Sequence, residues 1–341
     1  MERPLQHSWQ TSILHGPLWS KRHDKEQNMR IAVFFVGEVE DRGFNASALG
    51  GVERARDEGL ADISVVRGIP YDQTVIRDAL RETLSSVEGL VFVGGQGNLA
   101  VPEAAAEYRD HRFAIVQGAH LGDNLASYDV RQEDSAFLAG VLAARISKTG
   151  TVAHLSGHRV KPGLKGRAAF VGGVRHVAPD MPVLTGFCGT QDNSTVTHQW
   201  ASAQADAGAD VLFTMLNGAR DGAIAACRDK NIRQIGNALD WVEMMPDVFC
   251  ASALARIDRA VSRAITDMIA GHVPRHIVEM GLAQGDNSVG LSLHPDLETD
   301  HRDAISAIAD GIASRAITVP VAYDGPEFTL QTGEASWTEH A

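Results

Sequence analysis

Cysteine, aromatic residues, positive charge and long apolar runs are all in short supply in this sequence. Only three cysteines (Cys188, Cys227 and Cys250) stand in 341 residues. The count is odd and the spacing is not that of metal ligands, so a disulfide framework or zinc site is not expected, and reduced thiols are. No stretch approaches the roughly 18 consecutive apolar residues of a membrane span. Residues 1–28 contain no apolar core of signal-peptide length, no small-residue cleavage site and no lipidation cysteine. They read as an unstructured extension, with Met29 as an alternative start. The expectation is a cytoplasmic protein, or a periplasmic one if a misassigned start hides a signal sequence. Lys and Arg number 31 against 43 Asp and Glu, a net charge of -12. With no basic run, nucleic acid would be repelled and is not an expected partner.

What is present is an ordinary globular composition, 44% apolar and 22% charged, which sets aside collagen-like, coiled-coil and disordered chains. The length accommodates two lobes of about 100–200 residues. Short apolar runs alternate with amphipathic, Ala-rich segments. Strands are expected at 31–36, 63–66, 89–93 and 113–117, with helices at about 46–58, 71–85 and 102–108. The pattern then repeats: a helix at 134–145, strands at 151–155, 181–187, 211–215 and 233–236, and helices at 163–177, 195–207 and 222–230. A long helix at 252–271, a strand region at 285–292, a helix at 302–314 and a last apolar run at 318–321 follow. Runs uninterrupted by polar residues suit parallel strands covered on both faces. The class is therefore α/β, with two Rossmann-like lobes and one cleft.

In parallel sheets ligands lie beyond the carboxyl ends of the strands, so the loops there hold the candidates. After the first strand come Asp41, Phe44 and Asn45. Asp41 can accept from a ligand N–H, Phe44 can stack on a planar ring, and Asn45 can bond a ring edge or simply cap the next helix. Gly95-Gln96-Gly97-Asn98-Leu99-Ala100 matches the G-x-G-x-x-A phosphate-binding pattern. It follows the third strand rather than the first, and no acid ends the strand after it, so a Gly-rich cleft loop containing Gln96 is the better reading and a dinucleotide enzyme the weaker one. In the second half, Asp192, Asn217, Asp240 and Trp241 follow strands, and each is equally consistent with capping, turn or packing roles. His154 and His158 sit on a strand-to-loop segment and would not share a helix face. Cys188 reads as a strand-end thiol. No nucleophile elbow, Walker lysine or metalloprotease motif occurs, and no cofactor or metal is expected.

Several motifs, in order, resemble the basic membrane protein (Med/PnrA-like) family of substrate-binding proteins, whose fold is the type I periplasmic-binding-protein architecture. Glu40-Asp41-Arg42-Gly43-Phe44-Asn45 is similar to that family's D-D-x-S-F-N. The run from Gln132 through Asp134-Ser135-Ala136-Phe137-Leu138-Ala139-Gly140 resembles its E-x-S-F-L-A-G helix. Lys148-Thr149-Gly150, Gly208-Ala209-Asp210-Val211, Asn217-Gly218, Ile235-Gly236 and Gly285-Asp286-Asn287-Ser288 follow in register. The resemblance spans about residues 30–293. It implies binding of a purine base or nucleoside between two lobes, Asp41 and Asn45 contacting the base, Phe44 stacking on it, and an ABC permease as partner if the chain is exported. Thr190 and Gln191 stand where a second stacking aromatic is usual, Ala238 where a ribose-binding acid is usual, and Ala255 where a basic residue is usual. The Asp240-Trp241 pair matches instead a branch binding free bases. The expected division is 29–126 with 250–285 in one lobe, 127–249 with 286–324 in the other, and a loose tail at 325–341. An enzyme on the same scaffold, using Asp41, Asp192 or His158, is the alternative.

Overall fold

The computed structural model describes residues 28–330, so most of the expected N-terminal extension and the end of the expected tail lie outside the described residues. The first half runs β1 (Arg30–Val36), α1 (Phe44–Asp57), β2 (Asp62–Ile69), α2 (Gln73–Leu84), β3 (Gly89–Val93), α3 (Gly97–Glu107), β4 (Arg112–Val116) and β5 (Leu125–Val130). The chain then crosses into α4 (Gln132–Ile146), β6 (Val152–Ser156), α5 (Lys161–Val177), β7 (Val183–Phe187), α6 (Ser194–Asp206), β8 (Val211–Met215), α7 (Arg220–Lys230), β9 (Arg233–Ala238), α8 (Trp241–Met244) and β10 (Phe249–Ala255). It recrosses into α9 (Ile257–Ile269) and β11 (Val278–Met280), and crosses a third time into β12 (Val289–Leu293) and α10 (Thr299–Ala313).

Two six-stranded sheets result, ordered β11-β5-β4-β3-β1-β2 and β12-β10-β9-β8-β6-β7. Every pairing is parallel except β10 with β12. The two orders are copies of one another, which is the duplication expected from the sequence. Each sheet is buried on both faces, as apolar runs without polar interruption require. Successive β1 residues divide between two cores. Ile31, Val33 and Phe35 pack with α1 and α9 residues such as Val52 and Val261. Phe34 packs with Ile76 and Leu80 of α2 and Val101 of α3. The second sheet does the same, with α4, α5 and α10 on one face and α6, α7 and α8 on the other.

Sheet membership departs from the expected division at two crossings. Leu125–Val130 pairs with β4 in the first sheet, so the first crossing falls at Arg131 rather than after 126. Its apolar run is broken by Ser127 and Asp129, which hid it from a search for continuous apolar residues. Phe249–Ala255 pairs with β9 in the second sheet, and only then does α9 begin. The expected helix from 252 is therefore a strand in its first four residues. Small Ala and Ser residues, poor strand formers by themselves, are pinned there between β9 and β12. Residues 325–330 are also not loose. Phe328 N–H donates to Thr185 O at 2.8 Å on the edge of β7, and its ring meets Trp200 at 6.2 Å between centroids. Glu327 pairs with Arg159 at 2.7 Å and with Arg167.

Helices α4 and α5 cross where Gly140 faces the Phe170 carbonyl and Gly173 faces the Phe137 carbonyl. A Cβ on either glycine would overlap that oxygen. This lets α4, buried along its length from Gln132 to Ala143, lie directly on its neighbour.

Candidate functional site

The loops after β1 and β3 in one lobe face those after β6 and β8 in the other, at the positions where strand order reverses in each sheet. The lobes touch along the whole seam. At its outer rim Arg42 pairs with Asp221 at 2.5 Å. Beside this, Gly43 packs on Asn217, whose Oδ1 accepts from Phe44 N–H at 3.5 Å; a Cβ at Gly43 would sit 2.5 Å from that oxygen. Tyr71 and His158 meet across the seam with ring centroids 5.6 Å apart. Deeper in, a Cβ at Gly95 would lie 3.8 Å from Pro162. Near the first crossing, Lys165 of α5 holds Asp129 of β5 at 3.1 Å and Glu133 of α4 at 2.6 Å. A cavity of about 10 Å³ remains there, lined by Gln117, Gln132, Lys161 and the same three charges, space for about one water.

The β1–α1 loop is built by its own polar side chains. Asp41 is buried, and its two oxygens accept from Gly43, Asn45 and Ala46 N–H at 2.9, 3.1 and 2.9 Å. It thus satisfies the free N–H groups that a helix start leaves over. Burial raises its pKa against the pull of those N–H groups and of Arg220. Asn45 donates to Val36 O and Glu38 O, both at 2.9 Å, tying α1 to the end of β1. Phe44 is half-buried at the seam, packed against the first core.

In the second lobe three loops brace one another. Gly157 packs on Thr190 and Gln191. Gln191 accepts from Asn217 N–H at 3.0 Å through its side chain and from Ala219 N–H at 2.7 Å through its carbonyl. Asp192 is exposed beside Gly218.

The structure therefore gathers Asp41, Phe44, Asn45, Asn217 and Asp192 at one seam. Gln96 begins α3, with its side chain folded over Gly94. Asp240 and Trp241 are engaged by the second lobe itself. Asp240 caps α8, accepting from Glu243 N–H at 3.3 Å. Trp241 is fully buried in the second core, with Phe249 at 5.2 Å and the Arg220 guanidinium 4.6 Å from its ring, so it offers no stacking surface. His154 is a core residue bonded to Thr185 and Ser156, its pKa pushed down to about 3 by burial. Burial likewise raises the Cys188 thiol, the opposite of what an activated nucleophile needs.

Sequence reasoning missed Tyr71 and Arg220. Tyr71 is 48% exposed but lays its hydroxyl edge over Gly37, and the local desolvation there, together with Asp192 and Asp41, raises its pKa. Arg220 is 0% exposed at the start of α7, and burial pulls its pKa down to about 9. Its position three residues after Asn217 was the available clue.

Comparison with known proteins identifies the family and the fold. The model of a family described as ABC transporter substrate-binding protein PnrA-like matches residues 28–322. The chain is similar to basic membrane protein D of Borreliella burgdorferi, 22% identical over 319 residues, covering 90% of this chain and 92% of that one. It is 26% identical over 228 residues to a purine-binding protein of Brucella abortus, covering 65% of this chain and 63% of the relative. Among solved structures, an ABC transporter solute-binding protein from Aeropyrum pernix K1 superposes with a TM-score of 0.76 at 22% identity. That superposition covers 86% of this chain and 94% of the other.

Proposed function

This chain belongs to the Bmp family of PnrA-like ABC transporter substrate-binding proteins, and from that membership we propose that it captures a purine base, or a close analogue, between its lobes for delivery to a permease. The observation that carries the reading is the seam at Phe44: an aromatic ring, half-buried at the junction of two lobes, flanked by Asp41 on its own loop and Asn217 on the facing one. A flat polar ligand uses such a place well. One face stacks on the ring, and the edges find an acceptor and an amide. The Brucella relative's name points to the same ligand class. A carboxylate has about four acceptor positions; three are taken in Asp41, which leaves one for a ligand N–H. Closure about the three crossings would hold the ligand away from water.

Thermal-shift titration with adenine, hypoxanthine, guanine and their nucleosides tests this. Saturable stabilisation is expected, reaching about 2.7 kcal/mol at a ligand concentration 100 times Kd. Phe44→Ala should weaken binding by roughly 5- to 150-fold, the range for loss of one aromatic–base stack of about 1–3 kcal/mol. If no purine or nucleoside moves the unfolding midpoint, the ligand class is wrong.

A further inference from the structure

Arg220 is an unusual thing to bury, because every partner it has is neutral. Its terminal nitrogens donate to Thr214 Oγ1 at 3.0 Å, to Asn237 Oδ1 at 2.5 Å and to the Leu216 carbonyl, while Nε has no acceptor at all. Three of its five N–H donors are therefore used. Underneath, Trp241 supports the guanidinium, and Ser252 Oγ holds the Trp241 backbone at 2.8 Å. A cation held in a core with no carboxylate in hydrogen-bond contact costs several kcal/mol, so a function at this spot outweighs the loss.

The consequence falls on Asn237, the penultimate residue of β9. An arginine can only donate, so the amide oxygen must be the atom turned toward it. That orientation follows from chemistry and not from how an amide happens to be placed. The Asn237 amide nitrogen is then turned away from Arg220, at the carboxyl end of a second-lobe strand where the loops meet the cleft, and it has no hydrogen-bond partner among the described residues. Asn237 is 9% exposed. Asp41, an acceptor only, reaches this region from the first lobe through the seam: Gly43, whose N–H it accepts, packs on Asn217, and the Asn217 carbonyl accepts from the Arg220 backbone N–H at 3.0 Å.

We propose that Arg220 is a positioning residue that locks Asn237 as a hydrogen-bond donor in the cleft wall, and that this selects purines with a carbonyl at ring position 6 over those with an amino group there. The inference rests on the purine reading above. A 6-oxopurine presents an acceptor to Asn237 and an N–H at position 1 to the remaining acceptor of Asp41. Adenine presents a donor to the donor and an acceptor to the acceptor. Sites built to hydrogen-bond one such edge reject the wrong partner strongly, because buried groups are left unpaired.

The test is calorimetric titration of hypoxanthine against adenine. The wild type should prefer hypoxanthine by at least about 100-fold. Asn237→Asp gives Arg220 a buried counter-ion and turns the wall into an acceptor, so the variant should melt higher and favour adenine. Asn237→Ser, whose hydroxyl both donates and accepts, should bring the two affinities within about threefold, and it serves if the aspartate variant does not fold. A merely structural role for the pair would change the melting temperature and leave the preference intact; that result overturns the proposal. Equal wild-type affinities also overturn it while sparing the purine reading. A wild type that binds neither base overturns both.

Discussion

Gly173→Ala is expected to destabilise the protein by about 3 kcal/mol or more, although it adds a single methyl group. Such a change in the middle of a helix is ordinarily favourable by up to about 1 kcal/mol. Here the new Cβ would overlap the Phe137 carbonyl of α4. Backbone, unlike a side chain, cannot rotate out of the way, so the two helices must part. Overpacking of a tight core typically costs about 1–3 kcal/mol and more when main chain has to move. Parting them also disturbs the contacts of α4, which is buried against β10 and β12 as well as α5. In thermal unfolding the midpoint should fall by roughly 5–10 °C. Gly140→Ala should do the same from the other side, against the Phe170 carbonyl. The double variant should cost much less than the sum, since helices already parted have room for the second methyl. Gly290→Ala is the control, because a Cβ there meets nothing within 4 Å. If Gly173→Ala melts within a degree of that control, the reciprocal contact is not what holds these helices together.

Lys165→Met should be nearly as damaging at neutral pH, for an electrostatic reason, and the loss should shrink on acidification. Lys165 is the cation between Asp129 and Glu133, with side-chain exposures of 15, 17 and 2%. Removing one partner of a buried ion pair costs about 3–5 kcal/mol, and with Arg131 remaining 3.7 Å from Glu133 the loss should fall near the lower end of that range. Even with Lys165 present, burial holds the Glu133 carboxyl above its ordinary range; without it the pKa rises further. A carboxyl whose pKa is higher in the folded than in the unfolded protein favours folding when protonated. Its contribution is complete below the unfolded value, near 4.3, and is lost as pH rises through the folded value. The gap between variant and wild type should therefore be widest at pH 7 and narrow toward pH 5. Urea unfolding at the two pH values measures it. A gap that does not change with pH would mean that the methionine is disturbing packing and not stranding a charge.

Most of the fold could be read locally because the parallel strands are continuous apolar runs. The expected strands at 89–93 and 211–215 coincide with β3 and β8. Where the reading failed, tertiary context had overruled local preference. Phe249–Ala255 is composed like the helix that follows it and becomes a strand because two neighbours complete its ladder. Leu125–Val130 carries a tyrosine and an aspartate whose roles lie far away in sequence: Tyr128 donates to Asp267 at 2.9 Å and Asp129 pairs with Lys165. The site divides in the same way. Asp41, Phe44, Asn45 and Asn217 were placed by the rule that loops follow strand ends. Nothing local shows that Trp241 turns inward, or that Arg220, in a Gly-Ala-Arg-Asp-Gly stretch suited to a solvated helix start, is fully buried. Both depend on the β9 and β10 positions that the folded sheet brings beneath them.

The triple crossing also constrains how this protein can be made. The first sheet is edged by Val278–Met280, and much of one of its cores comes from α9, with Ile257, Val261, Ile265 and Met268 buried there. A ribosome must therefore pass residue 280 before the N-terminal lobe has all its parts. At about 5–20 residues per second, roughly 8–31 s separate the end of β4 at Val116 from the end of α9 at Ile269, and over that interval the β1-β3-β4 face that α9 will cover stays open to other apolar surfaces. The half of the chain synthesised first is, on this topology, among the last to be finished.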